Sequence, residues 1–340
     1  MDGLGDTSRR GGPRSAVVVN PVKPVDFDAL RRKINRMLAA AGWPPPLWLE
    51  TTVEDPGEGQ TRQAIEAGAE VVFVCGGDGT IMSCVSALVG TDVAMAILPC
   101  GTGNLLAANL GLPSDLSANI EAAMAGVRRQ IDVGVIEGRF FTVMAGMGFD
   151  AQLLKSTSES TKARIGWPAY LVGGVRHLRD RPMRVSIRID GQPPVRRRAR
   201  TVLVANVGRL QGGVRLLTAA EPDDGFLDVA VLTPRTIGHW LSLGWAVLFR
   251  RTRVPRMEVF RGRRVEVTSN RAQPRELDGD VIEPGRTLRV KVQPLALWLC
   301  VPQPARGTDR PWDVLARFRF MEEVGWPGSG ARAGRSDPEA

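Results

Sequence analysis

The glycine-rich segment GGDGT at residues 76–80 contains the residue types that most clearly suggest chemistry. It follows the apolar run 71–75 and precedes a segment with helical spacing. Glycines at such a turn let the backbone approach a phosphate chain, and the amides at a helix start favour negative charge. Asp78 would hold a magnesium-bound water or a ribose rather than a phosphate. The segment therefore predicts a nucleotide site, and the alternative is an ordinary strand-to-helix turn that happens to contain glycines.

Two more turns are expected at the same edge of the sheet. The segment PCGTGN at 99–104 follows the apolar strand pattern 93–98, and an Asn-Pro pair at 20–21 follows the apolar run 16–19. Ligands of open α/β proteins bind at the carboxyl ends of parallel strands. Each turn alone is weak evidence, but three at one sheet edge predict a binding crevice.

The elements that must position these turns alternate between strand and helix. Short apolar runs typical of buried parallel strands occur at 16–19, 47–51, 71–75 and 93–98. Helical spacing occurs between them, at 26–41, at 60–67 and after Thr80. This alternation predicts a parallel sheet with helices on both faces.

A second, mostly antiparallel region is predicted from Ile131 onward, because strand patterns there follow one another with short turns. The predicted strands are 185–189, 202–207, 226–232, 265–267 and 288–292, with helical insertions near 167–179 and 236–249. The sequence predicts disordered tails at 1–14 and 327–340. Between them it predicts a nucleotide-binding α/β domain 15–130, a β-rich domain 131–305 and a C-terminal helix 306–326 that packs back on the first domain. The resemblance described below assigns the β-rich domain to the lipid substrate.

Composition narrows the partners and the cellular location. The net charge of +9 suits anionic partners such as nucleotides, nucleic acid or acidic membranes. Aromatic residues make up only 6% of the chain, which argues against a stacking surface for nucleic acid. The four cysteines lie in apolar runs without metal-ligand spacing, which favours reduced thiols and a cytoplasmic protein. No apolar segment is long enough to predict a membrane span.

The three turns together resemble the catalytic domain of the diacylglycerol, sphingosine and ceramide kinase family. The resemblance extends from about Ala16 to Val301. It implies a two-domain fold of the NAD-kinase/diacylglycerol-kinase type, with an N-terminal parallel α/β domain, a β-rich C-terminal domain and ATP in the cleft between them. The residues that the resemblance assigns to ATP are Asn20, Pro21, Lys23, Thr52 (or its neighbour Thr51), Gly76, Gly77, Asp78, Gly79, Thr80, Ser83, Gly101, Thr102 and Asn104.

Two acidic turns in the second domain extend the resemblance. The segment 221–228 resembles an acidic motif that binds a structural Mg²⁺ in bacterial members, which implies a site made of the Asp224 carboxylate and the carbonyls of Glu221 and Phe226. The alternative is an Asp-Gly hairpin turn. The segment 277–280 resembles the family's Asp-Gly-Glu, which implies catalytic roles for Asp278 and, as general base, for Asp280. Here the alternative is an ordinary turn between strands.

The resemblance implies an ATP-dependent lipid kinase with Mg²⁺ that acts at an acidic membrane surface. The expected partners are a lipid substrate and the membrane, with no nucleic acid, and a homodimer is possible. Departures from the family pattern are Met82-Ser83 after GGDGT, Leu105 after the PCGTGN segment, and Asp280 in place of Glu. Two alternatives stay open: an NAD kinase, which shares GGDGT, and a non-catalytic nucleotide-binding or lipid-binding regulator.

Overall fold

The computed structural model describes residues 12–22, 26–101, 104–113, 115–125, 127–148, 182–208, 217, 220–233 and 257–302. Several predictions fall outside these ranges. They are residues 1–11 of the predicted N-terminal tail, the tail 327–340, the helices predicted near 167–179, 236–249 and 306–326, and the site residues Lys23 and Thr102.

The N-terminal half alternates strands and helices, as the sequence pattern predicts. Its elements are β1 (Ser15–Val19), α1 (Phe27–Ala40), β2 (Leu47–Glu50), α2 (Glu58–Glu66), β3 (Val71–Gly76), α3 (Asp78–Leu88), β4 (Ala94–Pro99), α4 (Leu105–Asn109) and α5 (Leu116–Met124). Asp26 and Asp115 cap α1 and α5 by accepting hydrogen bonds from backbone N–H groups in the first turns. Helix α3 begins at Asp78, which is earlier than predicted.

Strands β2, β1, β3 and β4 lie side by side in that order and are parallel throughout. Alternating side chains point to opposite faces of this sheet, and both faces are covered by helices. Val17 and Phe73 face the apolar stripes of α1 and α5, while Val18 and Val72 face α2, α3 and α4. The predicted parallel α/β domain is therefore confirmed.

The C-terminal half is built of antiparallel strands. Its elements are β5 (Arg128–Ile136), β6 (Arg139–Phe141), β7 (Met144–Gly148), β8 (Met183–Ile189), β9 (Val195–Ala199), β10 (Thr201–Ala205), β11 (Leu227–Leu232), β12 (Met257–Gly262), β13 (Arg264–Leu277) and β14 (Asp280–Cys300). The predicted β-rich domain is thus confirmed, and the predicted boundary between residues 130 and 131 falls inside β5.

Strands β13 and β14 form a long hairpin that connects the two halves. The sequence pattern predicts only 265–267 and 288–292, so these strands are far longer than expected. Their polar and proline-interrupted parts pair with β7, β8 and β5, and irregular register occurs along both strands. At its end β14 runs parallel to β4, where Leu299 pairs with Met95, so the chain returns to the N-terminal sheet.

The two halves have one continuous apolar interior at their junction. Ile81 and Val85 of α3 belong to the same buried cluster as Met144 of β7 and Leu297 of β14. A separate cluster fills the β-rich half. Because the junction is buried and apolar, the turns of the first half are held at a fixed place relative to the hairpin turn of the second.

Candidate active site

The Asn-Pro turn lies beside the end of β3. The Asn20 N–H donates to the Cys75 carbonyl oxygen at 3.0 Å, which places this turn next to the glycine-rich segment. Asn20 Oδ1 accepts from the Val22 N–H at 3.0 Å, so its side chain also shapes the turn. Pro21 is exposed at the sheet edge. Asn20 and Pro21 therefore lie at the predicted edge of the sheet, beside the glycine-rich segment.

Of the two threonines that follow β2, Thr52 is the accessible one. Thr51 is buried, whereas Thr52 is exposed. The Thr52 hydroxyl accepts from the Asp55 N–H at 3.1 Å, so it stabilises its own turn while one side remains open to solvent.

The glycines of the GGDGT segment differ in how closely their surroundings approach them. A Cβ on Gly76 would lie 2.6 Å from the Thr80 Cβ, and the Thr80 side chain is buried beneath the turn. Around Gly79, by contrast, a Cβ would meet nothing within 4 Å. Thr80 therefore supports the turn from inside, and the open side at Gly79 is where the backbone is accessible to a ligand.

The second turn is in direct contact with the first. A Cβ on Gly101 would lie 2.7 Å from the Gly77 Cα, so only glycine allows this approach. Asn104 adopts a left-handed conformation with φ of 43°, and its side chain hydrogen-bonds the N–H and carbonyl of Gly101. Asn104 thus stabilises the turn through its hydrogen bonds to Gly101.

Asp78 connects the two turns. Its Oδ1 accepts from the Leu105 N–H at 2.6 Å, at the start of α4. Ser83, one helical turn further along α3, is half-buried. Burial raises the pKa of Asp78, backbone hydrogen bonds from Leu105 and Asn104 oppose that shift, and the charge of Asp280 raises it further.

Residues from the two halves meet near this edge, because the Thr142 hydroxyl contacts both the Asp278 carboxylate and the Met82 sulfur of α3. Asp280 is exposed and directly follows a two-residue hairpin turn at Asp278 and Gly279, whose φ angles are 47° and 94°. Positive φ at both positions gives a turn that matches the twist of the flanking strands. The alternative of an ordinary turn is therefore correct as local structure, and the same turn carries the exposed Asp280 carboxylate, whose charge acts on Asp78.

Asp278 holds the turn in place rather than facing the crevice. Its carboxylate is buried and accepts from the N–H groups of Thr142, Val143 and Met144 at 2.7–2.9 Å. The Thr142 hydroxyl adds a fourth hydrogen bond at 3.0 Å. With its oxygens occupied in this way, Asp278 is a positioning residue for Asp280.

Thr142 is a positioning residue that the sequence pattern did not indicate. Its hydroxyl also lies 3.4 Å from the Met82 sulfur on α3, so it joins the Asp278 turn to the helix that begins at Asp78. The sequence signal was only a threonine at the end of an apolar strand pattern. Met82, one of the departures from the family pattern, thus contributes a contact between the two halves.

The buried carboxylate of Asp278 leads to a prediction about pH. Burial raises its pKa from 3.8 to about 6, although the backbone hydrogen bonds from Thr142, Met144 and Val143 oppose the shift. The folded protein then binds more protons than the unfolded chain between these values, so this group's contribution to stability falls as the pH rises from about 4 to about 6. We expect the difference in free energy of unfolding, wild type minus Asp278→Asn, to fall by at most about 1.4 kcal/mol per pH unit.

Chemical denaturation of both proteins at several pH values between 4 and 7.5 measures this difference. Other titrating groups are common to the two proteins and cancel. Parallel stability curves for the wild type and the variant would show that Asp278 does not titrate in this range.

The Asp224 carboxylate of the acidic turn at 221–228 is paired with an arginine from strand β12. Asp224 Oδ1 accepts from the Phe226 N–H at 2.9 Å, and its Oδ2 forms an ion pair with Arg261. The Arg261 guanidinium also lies 4.9 Å from the centroid of the Phe226 ring. Among the residues that the structure describes, no His, Cys, Asp and Glu side chains converge in a group that could hold a metal.

The predicted structural Mg²⁺ site of Glu221, Asp224 and Phe226 therefore does not fit this chain. Magnesium requires oxygen ligands around it at short distances, and a guanidinium on the one carboxylate of the set opposes a dication electrostatically. Arg261 supplies the positive charge that the turn needs.

Because Arg261 occupies the place of a cation beside Asp224, we predict that the folded protein does not depend on Mg²⁺. A chelator should leave the melting temperature of the wild type, without nucleotide, unchanged. Arg261→Ala should lower it, by about 2–4 °C for each kcal/mol lost, and millimolar Mg²⁺ should restore part of the loss. Differential scanning calorimetry measures both effects, and Arg32→Ala on α1 is the control for loss of an exposed arginine. A chelator-induced drop in the wild type would contradict the role of Arg261.

Comparisons with known proteins decide the family. The diacylglycerol kinase catalytic domain matches residues 14–136, and the YegS C-terminal NAD kinase beta sandwich-like domain matches residues 143–301. The chain belongs to the diacylglycerol kinase catalytic-domain family. It is therefore a kinase, and the resemblance inferred from the three turns is confirmed.

Relatives and solved structures agree with this placement. A protein of Pseudomonas aeruginosa described as "Probable lipid kinase YegS-like" is 33% identical over an alignment of 256 residues. The alignment covers 71% of this chain and 80% of the relative. The crystal structure of a diacylglycerol kinase from Bacillus anthracis has a TM-score of 0.66 at 20% identity and covers 85% of this chain and 96% of its own. The structure of an Archaeoglobus fulgidus NAD kinase in complex with ATP has a TM-score of 0.50 at 12% identity, and the match covers 92% of this chain and 100% of the NAD kinase chain. The two structural likenesses concern the fold alone.

Proposed function

We propose that this family member transfers the γ-phosphoryl group of ATP to a lipid hydroxyl at an acidic membrane surface. The observation that carries the proposal is the contact between the two halves beside the nucleotide turns, where the Thr142 hydroxyl joins the Asp278 carboxylate of the hairpin turn to the Met82 sulfur of α3. Asp78 connects the two turns that would hold the phosphates, and Asp280 comes from the β-rich half on which the lipid would lie. A site made by both halves suits a reaction between two substrates.

In the proposed reaction Asp280 accepts the proton of the lipid hydroxyl. The hydroxyl oxygen forms a bond to the γ-phosphorus, and the bond from that phosphorus to the bridging oxygen breaks, so that ADP leaves with the bond's electron pair. Phosphoryl transfer depends mainly on positioning and charge neutralisation, so the shorter side chain of aspartate can serve as base. Exposure of Asp280 at the end of a rigid hairpin leaves it accessible to such a hydroxyl.

The nucleotide would lie along the touching turns of 76–80 and 99–104, with its phosphates at the open side of Gly79. The amides at the start of α3 favour the phosphate charge. Asp78 would hold the Mg²⁺ that accompanies ATP through a bound water, because its carboxylate lies where the two turns meet. When bound, that cation would neutralise charge on the phosphates.

The test is transfer of radiolabel from γ-labelled ATP to lipids in mixed micelles. Diacylglycerol, a sphingoid base and phosphatidylglycerol are offered separately, and NAD is offered as the acceptor that the alternative requires. Labelled lipid supports the proposal. Labelled NADP would support an NAD kinase. ATP binding without hydrolysis and without transfer to any acceptor would support a non-catalytic nucleotide-binding regulator.

A basic sheet surface supports the proposed contact with an acidic membrane. Cross-strand pairing places Arg184 opposite Arg198, and Arg264 opposite Lys291, on solvent-exposed positions. We call this surface the basic face. Its cations are Arg184, Arg188, Arg196, Arg198, Arg264, Arg289 and Lys291.

Within the described part of the chain, most cations of the basic face form no ion pair, and Glu266 is the acid that pairs with two of them. Glu266 lies between Arg188 and Arg289, at 3.9 and 2.8 Å. The face lies on strands β8, β9, β13 and β14, and the last two continue to the turn that positions Asp280. Such a flat array of arginines complements anionic headgroups. No helix among the described residues is both long and apolar enough to cross a membrane.

We expect vesicles that contain phosphatidylglycerol to bind the protein and neutral vesicles to bind it weakly. Each basic residue near an acidic membrane contributes about 1 kcal/mol, so Arg184→Ser with Arg198→Ser should weaken binding about 30-fold. Rising salt should weaken binding of the wild type as charges are screened. Vesicle co-sedimentation measures the affinity.

The matched control is Arg32→Ser with Arg36→Ser on the exposed side of α1, which removes the same charge elsewhere. An equal loss in both double variants would indicate that net charge, not the basic face, determines binding. Stronger binding to nucleic acid than to acidic vesicles would contradict the membrane assignment.

A further inference from the structure

Two thiols meet directly behind the nucleotide turns. Cys75 is the residue before Gly76, and Cys100 is the residue before Gly101. Their Sγ atoms are 2.7 Å apart, and the Cys100 N–H donates to the Gly76 carbonyl oxygen at 3.2 Å. Since Cys75 lies on β3 and Cys100 follows the neighbouring strand β4, the contact joins the ends of two parallel strands.

The other two cysteines do not share this arrangement. Cys84 is buried on α3, where its thiol lies 3.7 Å from the Gly57 carbonyl oxygen. Cys300 is buried at the end of β14, beside the beginning of β4 rather than its end. Cys75 is buried, whereas Cys100 is partly exposed and therefore accessible to a small reagent. The chain thus carries one thiol pair with an accessible member and two isolated thiols.

We propose that Cys75 and Cys100 form a reversible disulfide that responds to peroxide. The hydrogen bond with Cys75 lowers the pKa of Cys100, which favours the reactive thiolate on the accessible member of the pair. The buried Cys75 then acts as the resolving thiol, because no other thiol in the described residues lies as close to Cys100.

The chemistry is a two-electron oxidation by hydrogen peroxide. The Cys100 thiolate attacks one peroxide oxygen, the O–O bond breaks, and the hydroxide that leaves takes up a proton to become water. The resulting sulfenic acid is attacked by the Cys75 sulfur, which has given up its proton, and a second water leaves as the S–S bond forms. Two thiols are oxidised and one peroxide is reduced to two waters. A dithiol reductant reverses the reaction.

The disulfide would change the nucleotide site, an effect that rests on the proposed function. Cys75 and Cys100 directly precede the two glycine turns, so a covalent bond between them would fix the distance between the turns. Gly77 and Gly101 lie against each other next to these cysteines, so the turns have little room to adjust to the bond. Because displacements of about 1 Å can cost about 10²-fold in rate, we expect oxidation to lower kcat/KM for ATP about tenfold.

The bond is detected by mass spectrometry without reduction. A protease that cleaves before aspartate separates the three cysteines of this region into fragments 55–77, 78–91 and 92–114. After treatment with hydrogen peroxide, we expect fragments 55–77 and 92–114 to be linked, with the loss of two hydrogens, and dithiothreitol to release them. Cys84→Ala should still form the link, and Cys100→Ser should not.

Activity is measured on the same samples. The kcat/KM of the peroxide-treated wild type should fall and recover with dithiothreitol, while that of Cys100→Ser should not respond. Absence of the linked fragments overturns the assignment, and a linked protein with unchanged kcat/KM overturns its effect on the site. Should the reduced wild type phosphorylate no lipid, the proposed function fails, but the linked fragments still decide whether the disulfide forms.

Discussion

Asp280→Asn is expected to lower kcat by about 10²–10⁴-fold, the usual cost of losing one positioned acid–base group. The amide keeps the size of the side chain but cannot accept the proton of the lipid hydroxyl. ATP affinity should change little, because the turns that would hold the nucleotide belong to the other half of the protein. The hairpin should remain folded, since the Asp278 carboxylate anchors its turn to the backbone of Val143 and Met144.

Asp280→Glu is the informative partner of this substitution, since it restores the longer acid of the family. We expect it to keep or raise activity. Asp92→Asn, at an exposed position away from the site, is the matched control for loss of one carboxylate. All four proteins are measured on one lipid acceptor in mixed micelles, with melting temperatures recorded. Full activity in Asp280→Asn would place the base elsewhere.

Removal of the Asp78 side chain should have the second large effect. Asp78→Ala deletes both the charge and the acceptor for the Leu105 N–H, so the second turn loses its connection to the first. Asp78→Asn keeps an oxygen that can accept this hydrogen bond and removes only the charge. We expect kcat/KM for ATP to fall about 10²-fold or more in both variants, because preorganised charge at the reacting phosphates is lost.

The two variants differ in stability, which separates the roles of Asp78. Asp78→Asn should melt near the wild-type temperature, whereas Asp78→Ala leaves the Leu105 N–H unsatisfied at a cost of about 1–3 kcal/mol. Steady-state kinetics with varied ATP and a thermal melt of each protein provide the comparison. Wild-type turnover in Asp78→Asn would show that Asp78 is only a structural connection between the turns.

Local sequence patterns predicted the positions of the nucleotide turns well. The strands before Gly76 and Gly101 are continuous apolar runs because they are buried on both faces, and this burial is visible in the sequence itself. Glycine at 76 and 101 was also readable, since a Cβ at either position would collide with the Thr80 side chain or with the backbone of Gly77. The family, the two-domain fold and the kinase activity followed from these short segments.

The lengths of β13 and β14 could not be predicted in the same way. Their polar residues and prolines give no continuous pattern, and the strands form because β7, β8 and β5 offer partners for their backbone. The tertiary partners, and not the local propensity, decide where these strands end.

The sequence by itself indicated which residues are candidates for the chemistry, and the tertiary structure decided how each of them is placed. Asp278 and Asp280 have the same side chain, yet Asp278 is buried against the backbone of Thr142 while Asp280 is exposed at the end of the turn. Arg261 was not recognisable as the counterion of Asp224, since that contact depends on the register of β11 against β12. The contact of Cys75 with Cys100 likewise depends on the pairing of parallel strands. Pairing between distant segments is set by the whole fold, so no local pattern contains it.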